Sequence, residues 1–377
     1  MSETGTGRAR EGDQMLEEPE LEALEIEAAE EGDDHGLEIN RRSVLSLGAF
    51  LLLSLAALYF LLPQLAGLED TWRRIEDGSP YWMIVALLFG CGMFFGYVAM
   101  FRGIFLKAGG SNRIDWRASY QITMAGLAAS RIFAAGGAGG LVLTAWALRR
   151  SGMRKRVVAD KTLTFLILTY MPYMAALIVC GLGLRIGIFP GPAPFGLTVV
   201  PAILAVIALG IGFSLALVPT DLQRRVARAA KGGGRVGRTA AKLANLPASA
   251  SAGMRDAIAH VDSRDPGLLG AFIFWACQVL VLWAAFKAFG EAPTWAVLIQ
   301  AFFCGMLGNL LPMPGGVGGV EGGMIGALVA FDVDGGLAVV AVLVYRAFTF
   351  WLPLIPGVIA YFQLRKTVER WALHYTK

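Results

Sequence analysis

Three ionisable residues stand in otherwise apolar stretches of this 377-residue sequence: Arg131, Glu321 and Arg346. A charged side chain is unfavourable in an apolar surrounding, so such residues usually face a cavity or one another. The chemistry they offer is anion binding. The two arginines would receive a phosphate, while Glu321 would govern an amine, a proton or the closing of a gate. The alternative is an internal ion pair of Glu321 with either arginine that only locks the structure.

Two glycine-rich breaks interrupt long apolar stretches, one in each half of the chain. They are Gly136-Gly137-Ala138-Gly139-Gly140 and Pro312-Met313-Pro314-Gly315-Gly316-Val317-Gly318-Gly319. Glycine allows close approach of backbone segments, and proline interrupts helical geometry. A helix that begins after such a break directs N–H groups and its positive dipole end inward, which suits an anion such as phosphate. Tight helix packing through small residues is the alternative use of these glycines.

The presence of a break in both halves favours a site over packing alone. The three charged residues are not repeated between the halves, so we expect a chemically asymmetric pathway. The predicted substrate-binding residues are Arg131, Gly136, Gly137, Gly139, Gly140, Pro314, Gly315, Gly316, Gly318, Glu321 and Arg346.

The composition is that of an integral membrane protein. Hydrophobic residues make up 56% of the chain, and the charges lie at its ends and in a few loops. Residues 1–40 hold 14 acidic and two basic residues, a net charge of −12, while the remainder carries +16. We predict that residues 1–40 are a disordered cytoplasmic tail. The basic remainder suits anionic lipid headgroups rather than nucleic acid.

Metal, cofactor and catalytic signatures are absent from the sequence. The four cysteines lie in apolar runs and the three histidines are scattered, so neither a metal site nor a cofactor is expected. We find no paired carboxylates, no histidine or cysteine base and no nucleotide-binding loop, and we therefore expect no enzymatic activity.

Apolar runs long enough to cross a hydrocarbon core of ~30 Å predict an all-α protein with six full transmembrane helices. These runs are 44–62, 81–101, 162–184, 196–218, 267–289 and 337–362.

Lysine and arginine are concentrated in short cytoplasmic loops of membrane proteins. By this rule both termini, the tail 366–377 and the basic loop 220–266 are cytoplasmic. The interrupted stretch 119–148 then begins and ends inside, and 295–331 begins and ends outside. Each is predicted to be a re-entrant helical hairpin, because half-helices of ~14 residues reach about 20 Å into the membrane.

The two breaks are 179 residues apart, and the segments about 81–184 and 267–362 repeat the order span, hairpin, span with opposite orientation. Inverted repeats whose broken helices meet near the midplane are an architecture of transporters. We therefore predict an inverted-repeat transmembrane domain over residues 41–365.

Asn309-Leu-Leu-Pro312-Met-Pro314-Gly315-Gly316-Val-Gly318-Gly-Val-Glu321 resembles the N-x-x-P-x-P-G-G-x-G-x-x-E signature of the lysylphosphatidylglycerol synthase transmembrane region, a flippase-like family. Tyr345-Arg346 followed by Phe350-Trp351-Leu352-Pro353 is similar to the same family. The likeness covers roughly residues 44–365, although the first break departs from the family pattern at Ala135 and Gly140. The resemblance adds Asn309 to the predicted site and implies translocation of a lipid between membrane leaflets.

The function predicted is therefore a lipid flippase or transporter in the cell membrane. It would move an anionic phospholipid or a polyprenyl-phosphate-linked headgroup. The alternative is a non-transporting accessory subunit of lipid or cell-envelope glycan synthesis, partnered with envelope-biosynthesis enzymes. Lysyl transfer belongs to a separate soluble domain in the full-length synthases, and we expect none here because about 15 residues follow the last span. Transport predicts a headgroup-sized polar cavity between the breaks, whereas an accessory role predicts dry packing there.

Overall fold

A computed structural model describes residues 78–106, 114–132, 138–217, 251, 253–261, 266–310 and 316–373. The predicted tail 1–40, the first predicted span 44–62, most of the basic loop 220–266 and residues 374–377 lie outside this part. So do four predicted site residues, Gly136, Gly137, Pro314 and Gly315. Within the described residues all regular secondary structure is helical, which confirms the all-α prediction.

The first half of the described chain contains five helices. Asp115 begins the second of them, because its Oδ1 accepts the Ala118 N–H at 2.7 Å and so satisfies an N–H that has no partner within the helix. The helices are α1 (Pro80–Leu106), α2 (Trp116–Ile132), α3 (Ala138–Arg150), α4 (Lys155–Arg185) and α5 (Phe195–Leu217).

Besides a short helix at 253–261, the second half of the described chain contains five longer α-helices, one 3₁₀ turn and one π-helical turn. Asp334 caps one of these helices by accepting the Leu337 N–H at 2.9 Å. In chain order they are α6 (Pro266–Phe289), α7 (Trp295–Met306), a 3₁₀ turn (Leu307–Leu310), α8 (Gly319–Ala330), α9 (Gly335–Arg346), a π-helical turn (Ala347–Trp351) and α10 (Leu354–Leu373).

Five helical segments of the described chain are long and apolar enough to cross a membrane, and they match five of the six predicted spans. Their outward faces are also apolar: Ile203, Leu204, Ile207 and Ile211 of α5 are each at least half exposed. Soluble proteins rarely expose continuous apolar surface of this kind, so these faces suit lipid. The segments are Pro80–Leu106, Lys155–Arg185, Phe195–Ser214, Gly267–Phe289 and Gly335–Trp371.

Each of the two predicted hairpins is a pair of packed helices held together by glycine. In the α2–α3 pair, a Cβ on Gly140 would clash with the Gly126 carbonyl oxygen. In the α7–α8 pair, a Cβ on Gly305 would lie 2.5 Å from the Met324 Cα, and a Cβ on Gly308 would clash with the Gly319 carbonyl oxygen. Small residues allow such close backbone approach between helices.

The long helices α1 and α6 pack in the same way. A Cβ added to Gly270 of α6 would lie 2.5 Å from the Gly96 carbonyl oxygen of α1. Around this pair the buried apolar residues form two clusters. One includes residues of the α7–α8 hairpin and the other includes residues of the α2–α3 hairpin.

A short helix at 253–261 lies within the predicted basic loop and is attached to α4. The Lys161 ammonium group donates to both carboxylate oxygens of Asp256, at 3.0 and 2.9 Å, and the Thr164 hydroxyl donates to the same carboxylate at 2.9 Å. His260, on the same helix, is buried. This end of the loop is therefore anchored to the transmembrane domain.

Candidate lipid-headgroup site

Glu321 and Arg346 form a buried ion pair. The Arg346 Nε donates to Glu321 Oε1 at 2.6 Å, and the side chains are 6% and 1% exposed. The other carboxylate oxygen accepts the Gly318 N–H at 2.8 Å, which is possible because Gly318 adopts φ = 88°. Glu321 thus caps the first turn of α8 and joins it to the end of α9. Of the two ion pairs left open by the sequence, the structure contains the one with Arg346.

Arg131, at the end of α2, binds the backbone of the π-helical turn. Its Nη1 donates to the Phe350 carbonyl at 3.0 Å and its Nη2 donates to the Thr349 carbonyl at 2.8 Å. Pro353 has no N–H, so the Thr349 carbonyl lacks the donor four residues ahead that a regular α-helix would supply. Arg131 supplies that donor, so two of its N–H groups are hydrogen-bonded while its charge has no carboxylate partner among the described residues.

The Phe350 ring brings the two arginines into one site. The guanidinium carbon of Arg346 lies 4.2 Å from the ring centre, and that of Arg131 lies 5.1 Å from it. Both distances are within the range of cation–π attraction. Two positive charges therefore meet one carboxylate, Glu321, and among the described residues no carboxylate pairs with Arg131. The described part of the site carries a net charge of +1.

Beside these residues lies a cavity of about 410 Å³. Its wall combines aromatic side chains with hydroxyl and amide groups, and it includes residues of both hairpins. Five of the twelve predicted site residues line it: Arg131, Gly140, Asn309, Gly316 and Arg346.

The predicted glycines have separate structural roles. Gly140, in the first turn of α3, packs against Gly126 of α2 as well as lining the cavity. Gly316 adopts φ = 66°, and the Asn309 Oδ1 occupies the position that a Cβ of Gly316 would need. Gly139 is half-buried, and neither Gly139 nor Gly318 lines the cavity.

The two helix N-termini expected to bind an anion differ in whether a carboxylate of the protein already occupies them. Helices α3 and α8 begin at Ala138 and Gly319, both within the breaks. At α8 the Glu321 carboxylate already accepts the Gly318 N–H, so a side chain of the protein itself occupies part of that terminus. This favours the two arginines over the α8 N-terminus as anion-binding groups of the site.

Sequence reasoning missed most of the polar wall of the cavity. A signal was present, because Thr123 and Ser130 are seven residues apart in α2, and Thr162 and Thr169 are seven apart in α4. That spacing places both members of each pair on one helix face. The missed polar lining residues are Tyr97, Thr123, Ser130, Thr144, Thr162, Thr169, Tyr170, Gln278, Tyr345 and Thr349.

Comparison with known proteins supports the resemblance drawn from the second break. A model of the lysylphosphatidylglycerol synthase TM region family matches residues 45–357. Two UPF0104 membrane proteins of Methanothermobacter thermautotrophicus are similar to this chain. One is 37% identical over 90 residues, which are 24% of this chain and 27% of that protein. The other is 30% identical over 95 residues, which are 25% of this chain and 28% of that protein.

Each alignment thus spans little more than a quarter of the relative's length, while the family model spans most of this chain. The protein belongs to the lysylphosphatidylglycerol synthase TM region family of membrane proteins.

Proposed function

We propose that this protein is a flippase-like transporter that moves a lipid with an anionic, phosphate-bearing headgroup between membrane leaflets. The observation that carries the proposal is the cavity of about 410 Å³, which lies beside two arginines and a single paired carboxylate. An anionic headgroup would neutralise the remaining positive charge, which is otherwise unfavourable at this depth.

Arg131 has the donors that a phosphate requires. Two of the five N–H groups of its guanidinium bind carbonyls of the π-helical turn, and three remain for a ligand as far as the described residues reach. Charge-assisted hydrogen bonds of arginine to phosphate are among the strongest in proteins. Because the two carbonyl bonds hold the guanidinium in place, little further ordering is needed when a phosphate binds.

The size and rim of the cavity favour a lipid over a soluble anion. Its volume lies within the ~300–1,000 Å³ range of small-molecule sites, which is sufficient for a headgroup. Three of its lining residues, Leu141, Tyr170 and Leu310, are exposed apolar or aromatic side chains. A chamber that combines polar groups with apolar walls and such a rim suits an amphiphile whose headgroup enters while its acyl chains stay in the membrane.

We further propose the inverted-repeat arrangement of six transmembrane helices and two re-entrant hairpins, with both termini cytoplasmic in the cell membrane. The close glycine contacts support it, because a shift of 179 residues carries Gly126 to Gly305 and Gly140 to Gly319, and all four glycines are in close contact within their own hairpin. Gly126 and Gly140 meet each other, whereas Gly305 meets Met324 and Gly319 meets Gly308. The helix contacts do so as well: α10 packs on α2, and their counterparts α4 and α7 pack on each other. Two related halves could open alternately to either side.

The alternative is a membrane accessory subunit that works with envelope-biosynthesis enzymes and moves no lipid itself. The buried Glu321–Arg346 pair favours this alternative, since a pair of this kind also serves to lock α8 to α9. The cavity, with its hydroxyl, amide and guanidinium groups, favours transport, because an accessory role calls for dry packing between the breaks. In either case we propose a role other than catalysis.

The test is lipid movement in proteoliposomes. The purified full chain is reconstituted with a phosphatidylglycerol, a phosphatidic acid or a phosphatidylcholine labelled on an acyl chain with a fluorophore that external dithionite quenches. We expect quenching beyond the outer-leaflet fraction for the anionic lipids and little for phosphatidylcholine. Quenching no greater than in protein-free liposomes for every lipid would contradict transport and favour the accessory role.

A further inference from the structure

Gln278 is a buried amide that the anion site described above does not use. It lies on α6, lines the cavity and is 5% exposed. Its Oε1 accepts a hydrogen bond from the Tyr345 hydroxyl at 2.9 Å, whereas its Nε2 is buried and has no acceptor among the described residues. A buried donor without an acceptor is unfavourable and uncommon in native proteins.

The Tyr345 hydroxyl binds the oxygen end of this amide. Because it donates to Oε1, the NH₂ group of Gln278 is turned away from Tyr345. Tyr345 is itself held in place, being 1% exposed and packed edge-on against the Phe302 ring at 5.7 Å. The donor is therefore presented in a defined orientation before any ligand arrives.

The same stretch of chain connects Gln278 to the arginines. Tyr345 precedes Arg346, and its carbonyl accepts the Thr349 hydroxyl at 2.8 Å. The Thr349 carbonyl in turn accepts from Arg131. Gln278, Tyr345, Thr349 and Arg131 all line the cavity, so one hydrogen-bonded path connects a residue with a neutral donor and a residue with a charged donor in the wall of the same chamber.

Building on the proposed function, we propose that Gln278 binds the headgroup directly, its amide N–H donating to an oxygen of the phosphate or of the adjoining ester. The arginines attract any anion, but charge alone does not distinguish one phosphate lipid from another. A neutral donor of defined direction adds that discrimination, because a ligand without an oxygen at this position leaves the donor unpaired. Tyr345 is the positioning residue of this arrangement.

Gln121 provides a matched control. It is fully buried, its Oε1 accepts the Thr367 hydroxyl at 2.9 Å, and its Nε2 also lacks an acceptor among the described residues. Unlike Gln278, it does not line the cavity. The two glutamines thus share burial and hydrogen bonding and differ in access to the chamber.

The experiment measures ligand affinity of the purified full chain in detergent by calorimetric titration with dioctanoyl phosphatidylglycerol. Gln278→Met keeps the volume and removes the donor, so we expect a Kd roughly tenfold weaker. Gln278→Glu keeps the shape and places an acceptor against the anion, so we expect a larger loss. Tyr345→Phe should weaken binding less than Gln278→Met, and Gln121→Met should leave the Kd within about twofold.

An unchanged Kd in Gln278→Met, an unchanged or tighter Kd in Gln278→Glu, or an equal loss in Gln121→Met would each overturn the role of Gln278. Melting curves of every variant identify those that are folded. If Gln278→Met does not fold, the Kd of Gln278→Glu tests the role of Gln278.

Inorganic phosphate is titrated in parallel. If it competes with the lipid at equal concentration, the ligand is free phosphate and the proposed lipid function fails, while Gln278 is still judged by its own variants. A wild-type protein that binds neither probe overturns both proposals.

Discussion

Arg346 and Glu321 are joined by a hydrogen bond of 2.6 Å between Nε and Oε1, with both side chains almost completely buried. Only Arg346 of the two lines the cavity. The carboxylate lies behind the arginine, so it neutralises part of the charge and fixes the guanidinium. We therefore predict the effects of substitutions on stability and on lipid transport separately.

We expect Glu321→Gln to lower the melting temperature, because it leaves Arg346 without its counter-charge. Removing one partner of a buried pair costs about 3–5 kcal/mol, and access of Arg346 to the cavity places the expected loss near the lower value. The double variant Glu321→Gln/Arg346→Met should recover part of that loss, as a double-mutant cycle would show. The more exposed pair Lys161–Asp256 is the control, and Asp256→Asn should cost about 1 kcal/mol or less. An equal loss in both single variants would contradict the assignment.

Arg131 is expected to matter more for transport than for folding. Arg131→Gln should slow lipid movement at least tenfold, because it removes the charge that lacks a carboxylate partner among the described residues. Arg131→Lys should restore only part of the activity, because an ammonium group cannot bind two carbonyls and a phosphate with the geometry of a guanidinium. The dithionite assay measures both variants, and Arg185→Gln, outside the cavity at the end of α4, is the control. Full activity in Arg131→Gln would remove this residue from the site.

Glycine contacts within the hairpins should be sensitive to a single methyl group. Gly305→Ala places a Cβ 2.5 Å from the Met324 Cα, and overpacking of this kind typically costs about 1–3 kcal/mol. Gly326→Ala, in the neighbouring helix α8, meets nothing within 4 Å and should be neutral or stabilising by up to about 1 kcal/mol. Melting curves in detergent compare the two. A Gly305→Ala variant as stable as Gly326→Ala would show that the helices of this hairpin are further apart.

The proposed orientation is tested by labelling single cysteines with a membrane-impermeant maleimide in a variant lacking the four native thiols. Glu291→Cys, in the exposed turn between α6 and α7, should react on intact cells. Val261→Cys, which is also exposed, should react only after permeabilisation, because the short helix at 253–261 belongs to the basic loop. The nearby Ser251 is fully buried and would be a poor reporter. Labelling of Val261→Cys but not of Glu291→Cys on intact cells would reverse the orientation.

The sequence by itself determined the helical class, the five spans that the structure describes and the two helix pairs that flank the glycine-rich breaks. Each of these follows from local properties, namely the length of an apolar run and the presence of glycine and proline. The second break was also specific enough to indicate the family. Glu321 and Arg346 could be selected from the sequence because a charge in an apolar run is conspicuous wherever the chain folds.

Only the tertiary structure decided which of these residues meet. The sequence left Arg131 and Arg346 as equal partners for Glu321, and the packing of α8 on α9 selects Arg346. Arg131 instead binds carbonyls more than 200 residues away, at a turn where Pro353 leaves one of them without its helical donor. Gln278 and Tyr345, 67 residues apart, are neighbours for the same reason. Helical periodicity specifies which residues share a face, but the close glycine contacts between helices set the distances across which these side chains interact.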